Sequence, residues 1–456
     1  MLKNNSLLII LGICILAINS CASDDDDYIP LNIKTHPDTS YVPQGNSIEI
    51  DVLINDENLP ENGSLNFTEP QYGEVEILDN NTPNNLLDDT LKFTANTNYY
   101  GEVIFYYTVC DINNNCSTAS VTVEITPVSP VNFDINQIPY DNLSEYNFFE
   151  GPLKDLNPVY GVLPYDMISP LFSDYAHKKR FVWMPNGSAA NYIEDYEIFD
   201  FPVGTILIKN FFYETVLPNN STKIIETRLM ILKNEGWVFA NYVWNEEQTE
   251  AVFDLFGSYV EFEFMENGET KNINYRIPSQ AECLTCHKSA DGTSLPIGPK
   301  PQNINKVIAY TDGEQNQLEK WIQMGYLNSA PSNINTVIDW EDQSYDLELR
   351  VRSYLDINCA HCHSDDRHCD YRPIRFAFNE TQDLTNIGVC VEPHTNIDNS
   401  LTYIVTPGNS ERSVISRRIS SIEPSIRMPL LARTLQHTEA VTLIESWINS
   451  LDITCE

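Results

Sequence analysis

Apolar and polar residues alternate in short runs over the first quarter of the chain. The runs fall at 47–52, 73–78, 90–94, 101–109 and 118–125, separated by clusters rich in Asn, Asp, Pro and Gly. A period of two bounded by turn residues predicts β-strands. In the fourth run Val103, Phe105, Tyr107 and Val109 share one face, which suits the inner wall of a β-sandwich at 30–126. Residues 127–140 are Pro-rich and read as a linker. From 141 to about 278 aromatic and β-branched residues again dominate, with strands predicted at 198–201, 205–212, 224–232, 237–244 and 259–264. The pattern changes further on. Residues 315–324 suit a short helix. Over 345–357, Leu347, Val351, Tyr354 and Leu355 form one stripe, and Ala440, Ile444, Trp447 and Leu451 form another on a closing helix.

The first module is similar to the immunoglobulin-like or cadherin-like domains of bacterial surface proteins. Val52-Leu53-Ile54-Asn55-Asp56 and Tyr107-Thr108-Val109-Cys110-Asp111 carry that likeness. It implies a spacer or presenting role.

Two pentads supply the chemistry: Cys283-Leu284-Thr285-Cys286-His287 and Cys359-Ala360-His361-Cys362-His363. Cys-x-x-Cys-His is the attachment signature of c-type haem. Two thiols add to the porphyrin vinyl groups and the adjacent imidazole reaches the iron. The expectation is two covalently bound haem c groups, held by Cys283, Cys286 and His287 and by Cys359, Cys362 and His363. A four-thiolate zinc site and a pair of redox disulfides are the alternatives. The zinc site does not need a histidine after both pairs.

A helix, a haem pentad, loops and a final helix make the plan of a class I cytochrome c domain. The expected fold is therefore multidomain: an N-terminal β-sandwich, a central β-rich domain at 141–340 carrying the first pentad, and a C-terminal, mainly α, class I cytochrome c-like domain at 341–456. Such a domain takes its distal ligand from the loop before the last helix, where Met428 stands 65 residues after His363. His363 and Met428 are the expected axial pair of the second iron, and the soft thioether would raise its potential. His437 competes as ligand but falls at the helix start, where it would cap or face solvent. The first iron has His287 and no clear distal partner. Met324 is the sole methionine between the pentads, and His177, Met184, Met230 and Met265 lie upstream. An open distal face is the remaining option. Arg417, Arg418, Arg427 and Lys300 are candidate partners for haem propionates.

Residues from about 160 to 455 resemble the family of bacterial dihaem c-type cytochromes. The matching stretches include Pro170-Leu171-Phe172-Ser173-Asp174-Tyr175-Ala176, Phe201-Pro202-Val203-Gly204-Thr205, Glu226-Thr227-Arg228-Leu229, Tyr242-Val243-Trp244-Asn245, both pentads and Pro407-Gly408-Asn409-Ser410. The resemblance implies haem binding and electron transfer and supplies no substrate. Residues 195–290 also look like β-sheet c′-type cytochromes, in which one haem face is often open. Function is therefore expected to be electron transfer at the cell envelope. The alternative is a haem oxidoreductase whose first haem takes peroxide or a small nitrogen or oxygen substrate while the second relays electrons.

Such attachment occurs outside the cytoplasm. Lys3 and an apolar run at 7–18 read as a signal peptide, ending at Ile18-Asn19-Ser20-Cys21, which resembles a lipoprotein cleavage box. A lipid on Cys21 would be the sole membrane attachment, giving an outer-membrane lipoprotein. The acidic stretch at 22–29 reads either as a surface-export tag or as a solvated tether. With 27 Lys and Arg against 65 Asp and Glu, the net charge is −38. That argues against nucleic acid and anionic lipid, and favours a cationic redox partner protein. Cys110 and Cys116 are expected to pair, as are Cys369 and Cys390, leaving Cys455 single.

Overall fold

The computed structural model describes residues 31–83 and 85–455. The signal peptide, Cys21 and the acidic tether lie outside the described residues. The chain divides into two compact units, Met1–Pro127 and Val128–Glu456.

The first unit is a two-sheet sandwich. One sheet has the order Asp38–Pro43, Cys116–Thr126, Gly101–Asp111, Gly63–Phe67; the other Ser47–Ile50, Thr90–Ala95, Gly73–Leu78. All pairs are antiparallel except the first, where Asp38–Pro43 runs parallel to Cys116–Thr126. Each predicted run forms a strand. Val103, Phe105, Tyr107 and Val109 are buried between the sheets, and Phe105 stacks on Phe93 at 6.0 Å. Alternation thus fixes both register and sidedness. Cys110 and Cys116 are joined across the hairpin at 111–115. At one edge the Tyr107 hydroxyl donates to Asp56 Oδ1 at 2.8 Å. Nearby Asp38 is buried, and Asn55 donates to its Oδ1 at 3.0 Å. Burial and the neighbouring Asp56 push the Asp38 carboxyl up to about 6.

The second unit is built on an eight-stranded antiparallel sheet. Its path runs Leu163–Tyr165, His177–Trp183, Ile206–Val216, Ser221–Lys233, Gly236–Trp244, Ala251–Phe253, and the hairpin Ser258–Glu266/Glu269–Ile277 joins at Val216. Four of the five predicted strands are present. Residues 198–201 are irregular, with Asp200 making one isolated bridge to Asn191. Ile138 and Tyr140, in the stretch expected to link domains, are buried in the apolar cluster of this unit.

The expected C-terminal, mainly α, class I cytochrome c-like domain is not formed. Strand accounts for 33% of the chain and helix for 17%, and the helices are few and scattered. Beyond residue 341 the α-helices are Leu347–Leu355, Leu384–Ile387, Val414–Ser420 and Thr438–Ser450. The apolar stripes are real, and Val351, Leu355, Ile444 and Trp447 are buried together. Each stripe, however, spans only two to four turns. Between them Gly, Pro, Asn and Asp impose turns, as at Gly388, whose φ of 98° ends the helix before it. The segment also packs into the same unit as the sheet, so its helices are appendages of a β-rich body. Among the described residues no helix is long and apolar enough to cross a membrane.

Candidate functional site

The first pentad lies on the helix Gln280–His287, which follows the strand Glu269–Ile277 after only Pro278 and Ser279. Glu282 fixes that junction. Its carboxylate accepts from Ser279 N at 2.7 Å and from Arg276 Nη2 on the strand at 2.6 Å. The carboxylate near the helix start also interacts favourably with the positive end of the helix dipole. At the other end His287 Nδ1 lies 2.8 Å from the Leu295 carbonyl. A carbonyl only accepts, so Nδ1 carries the proton and Nε2 keeps its lone pair. Burial pushes His287 down to about 4, and Phe239 packs edge-on at 5.1 Å.

The second pentad follows the helix Leu347–Leu355. The Asp346 side chain caps that helix by accepting from Glu348 N at 2.9 Å. The helix widens into a π turn at Asp356–Ala360, which carries Cys359. Two side chains of this turn anchor it. Asn358 accepts from Phe172 N at 2.8 Å and donates to Tyr354 O at 3.0 Å. Asp356 accepts from Phe378 N at 3.0 Å and from Gln302 at 3.1 Å. His363 is likewise pushed down to about 4 by burial, with Phe376 edge-on at 5.3 Å. Its Nδ1 is buried and has no hydrogen-bond partner among the described residues. Both pentad histidines are therefore neutral near pH 7, as ligation requires.

The fold brings the pentads together. Cys286 Sγ, Cys362 Sγ and a ring nitrogen of His361 all lie within 4.8 Å of one another. Cys286 and Cys362 hydrogen-bond, which pushes the Cys286 thiol down and the Cys362 thiol up. Burial raises Cys283 and takes Cys359 to about 12. Cys283 and Cys359 stand outside this cluster. The four sulfurs therefore do not converge as a four-thiolate zinc site requires. All four, and Cys369, are free thiols.

Two cavities flank this junction. One, of about 1060 Å³ and open to solvent, is lined by Cys362, His363, Ile374, Phe376, Arg418 and Met428. The other, of about 1650 Å³ and also open to solvent, is lined by Cys283, His287, Lys209, Arg228, Met230 and Phe239. Their common wall includes Cys286, Cys359, His361, Ile419, Met428 and Leu431. Met428 thus faces both spaces.

Other predicted residues are distributed differently. Met324 caps the helix Gln317–Gln323, packs against the core and lines neither cavity. His177, Met184 and Met265 line neither cavity. Met230 lines the larger one. His437 is the N-cap residue of the last helix but does not face solvent. It is stacked on Phe172 at 3.9 Å, bonded to the Tyr354 hydroxyl at 3.1 Å, and lines the larger cavity. Among the expected propionate partners, Arg418 lines the smaller cavity with Arg372. Arg417 and Arg427 line neither, and Lys300 lines a third cavity with Asp356 and Arg367.

Sequence reasoning missed the basic lining of the larger cavity: Lys209, Arg228, Arg276 and Arg433. Three stand on strands, and alternation marks a face without saying that the face bounds a cavity. Arg228 pairs with Glu226 at 2.5 Å, and Tyr275 donates to the same fully buried carboxylate at 2.7 Å. The expected Cys369–Cys390 pair does not form. Cys390 is joined to Cys455, and Cys369 is buried and free. Chain separation could not reveal this, because the partner arrives with the terminal segment after the last helix.

Residues 30–124 match the Bacterial Ig domain family. The first unit is an immunoglobulin-like domain. Comparison with curated proteins gives no match. Among solved structures, the extracellular cadherin domains 1–4 of protocadherin gamma B7 align at 7% identity over 54% of this chain and 76% of that one, with a TM-score of 0.18. Murine CEACAM1b aligns at 12% identity over 54% and 98%, with a TM-score of 0.15.

Proposed function

We propose that the second unit is a dihaem c-type cytochrome that transfers electrons at the cell envelope, with the immunoglobulin-like unit as spacer. One observation carries the reading: the histidine of each Cys-x-x-Cys-His pentad lines a different cavity, His363 the smaller and His287 the larger. The donor sets fit haem c. Cys283, Cys286 and His287 would hold one group, and Cys359, Cys362 and His363 the other. The smaller cavity is apolar around Ile374 and Phe376, and Arg372 and Arg418 stand ready for carboxylates. Lys209 and Arg433 line the larger one, beside Arg228 and Arg276, which are already paired with Glu226 and Glu282. Haem bound there supplies one-electron exchange at iron.

The chain's own contributions are positional. The Leu295 carbonyl orients His287, and burial keeps both imidazoles neutral. Met428 offers a thioether to the second site. Aromatic and aliphatic side chains such as Ile374, Phe376 and Phe239 line the cavities, and an apolar lining favours the less charged ferrous state. The net charge of −38 suits a cationic redox partner protein, and a lipid on Cys21 would hold the chain at the outer membrane.

A second reading assigns the first site to peroxide or a small nitrogen or oxygen substrate, with the second site as relay. The greater volume of the His287 cavity favours it, as does the position of Met324 away from it.

The test is expression with a c-haem maturation system, followed by haem quantitation and intact mass. Two covalent haems per chain are expected, and one after Cys359→Ala/Cys362→Ala. Colourless wild-type protein would end the proposal. Carbon monoxide binding to the ferrous protein separates the readings: binding favours the open site, and its absence favours the carrier.

A further inference from the structure

We infer that the two prosthetic groups are not independent redox centres but an electronically coupled pair, joined at the wall formed by Cys286, Cys362 and His361. The inference rests on the dihaem reading and goes beyond it. The pentads are 76 residues apart in sequence, and their spacing permits separate lobes as readily as one shared junction. The fold chooses the junction. The second cysteine of each pentad meets the other, with the sulfurs and a His361 ring nitrogen all within 4.8 Å.

In haem c each of these sulfurs would be bonded to a vinyl-derived carbon one bond from the porphyrin rim. Two sulfurs this close therefore bring the two rims to one place. The surrounding wall is shared as well: Cys359, Ile419, Met428 and Leu431 face both cavities. No layer of protein thick enough to isolate the groups lies between Cys286 and Cys362. Both electron tunnelling and magnetic dipole coupling fall steeply with separation, so this contact sets their strength. The junction is also built firmly. The Glu282–Arg276 pair fixes the helix that carries Cys286, and Asn358 and Asp356 fix the turn that leads to Cys362.

The transfer balances within the molecule. With haem bound at both sites, one electron would pass from a ferrous to a ferric iron, with no external reactant and no bond made or broken.

The experiment uses the loaded full-length protein in electron paramagnetic resonance. The ferric signal of one haem is recorded in the fully oxidised protein and again after poising at half reduction. Coupling predicts that each signal relaxes faster and broadens when its neighbour is also ferric. It predicts further that the fully oxidised spectrum differs from the sum of spectra from Cys283→Ala/Cys286→Ala and Cys359→Ala/Cys362→Ala, each loaded once. Relaxation that is the same in both redox states overturns the inference, even if the variants fail to fold. Absence of covalent haem instead overturns the functional reading beneath it, so the two failures are distinct.

Discussion

The carboxylate of Asp174 is the receptor for the backbone of Thr434, 260 residues later in the chain. It accepts from Thr434 N at 2.7 Å and from Thr434 Oγ1 at 2.9 Å, and also from Leu435 N at 2.8 Å. Tyr175, its neighbour, hydrogen-bonds Gln436 O and Glu439. A sheet-side turn thereby holds the loop that runs from Met428 to His437 across both cavities.

Asp174→Ala leaves two half-buried backbone donors, Thr434 N and Leu435 N, without their acceptor. Each costs about 1–3 kcal/mol, so a total loss of about 2–6 kcal/mol is expected. Thermal unfolding followed by circular dichroism should show a lower midpoint while two haems per chain remain. An unchanged midpoint would show that the loop is held by other contacts.

Met428→His exchanges a thioether for an imidazole at the wall of the smaller cavity. Under the proposed ligation the potential of the second haem falls by on the order of 0.1 V, within the range that axial ligands command. Potentiometric titration with optical detection reads the shift. A potential equal to wild type removes Met428 from the coordination sphere.

Cys390–Cys455 closes a span of 65 residues that contains the last helix. Chain-entropy arguments assign such a loop up to about 4 kcal/mol. Cys455→Ser should lower the unfolding midpoint of the second unit and leave the immunoglobulin-like unit unchanged. Peptide mapping without reduction should recover Cys390 bonded to Cys455 and Cys110 bonded to Cys116. Recovery of Cys369 in a disulfide would contradict the structure.

Asp38 gives the first unit a pH dependence whose sign follows from its raised pKa. The folded carboxyl holds its proton up to about 6, against an ordinary 3.8. Its contribution is therefore present at pH 3–4 and is lost as pH rises through 6. Asp38→Asn should be more stable than wild type at pH 7.5, by up to about 3 kcal/mol. The advantage should vanish near pH 4. Calorimetry at the two pH values checks it, and an equal difference at both would refute it.

Much of this architecture is legible along the chain because it is local. Period-two alternation marks Val103 to Val109 and the long strands of the second unit, and a strand's burial follows directly from its pleat. The pentads are legible for the same reason: attachment chemistry needs its three side chains within five residues. The helices around Val351 and Ile444 also show in their stripes. Their assembly into a separate α domain does not follow, because periodicity reports a buried face and is silent on what buries it.

The amino-acid sequence by itself determined the immunoglobulin-like strands, the two Cys-x-x-Cys-His groups, the large negative charge and the short helices beside the second pentad. Only the tertiary structure decided that 341–455 joins a β-rich body, that Cys286 meets Cys362, that Cys390 takes Cys455, and that Lys209, Arg228 and Arg433 line one cavity. The division has a physical cause. Backbone periodicity and covalent spacing act over a few residues, whereas contacts such as Asp174 with Thr434 depend on loop closures whose entropy depends only weakly on length, so chain separation does not reveal which of them form.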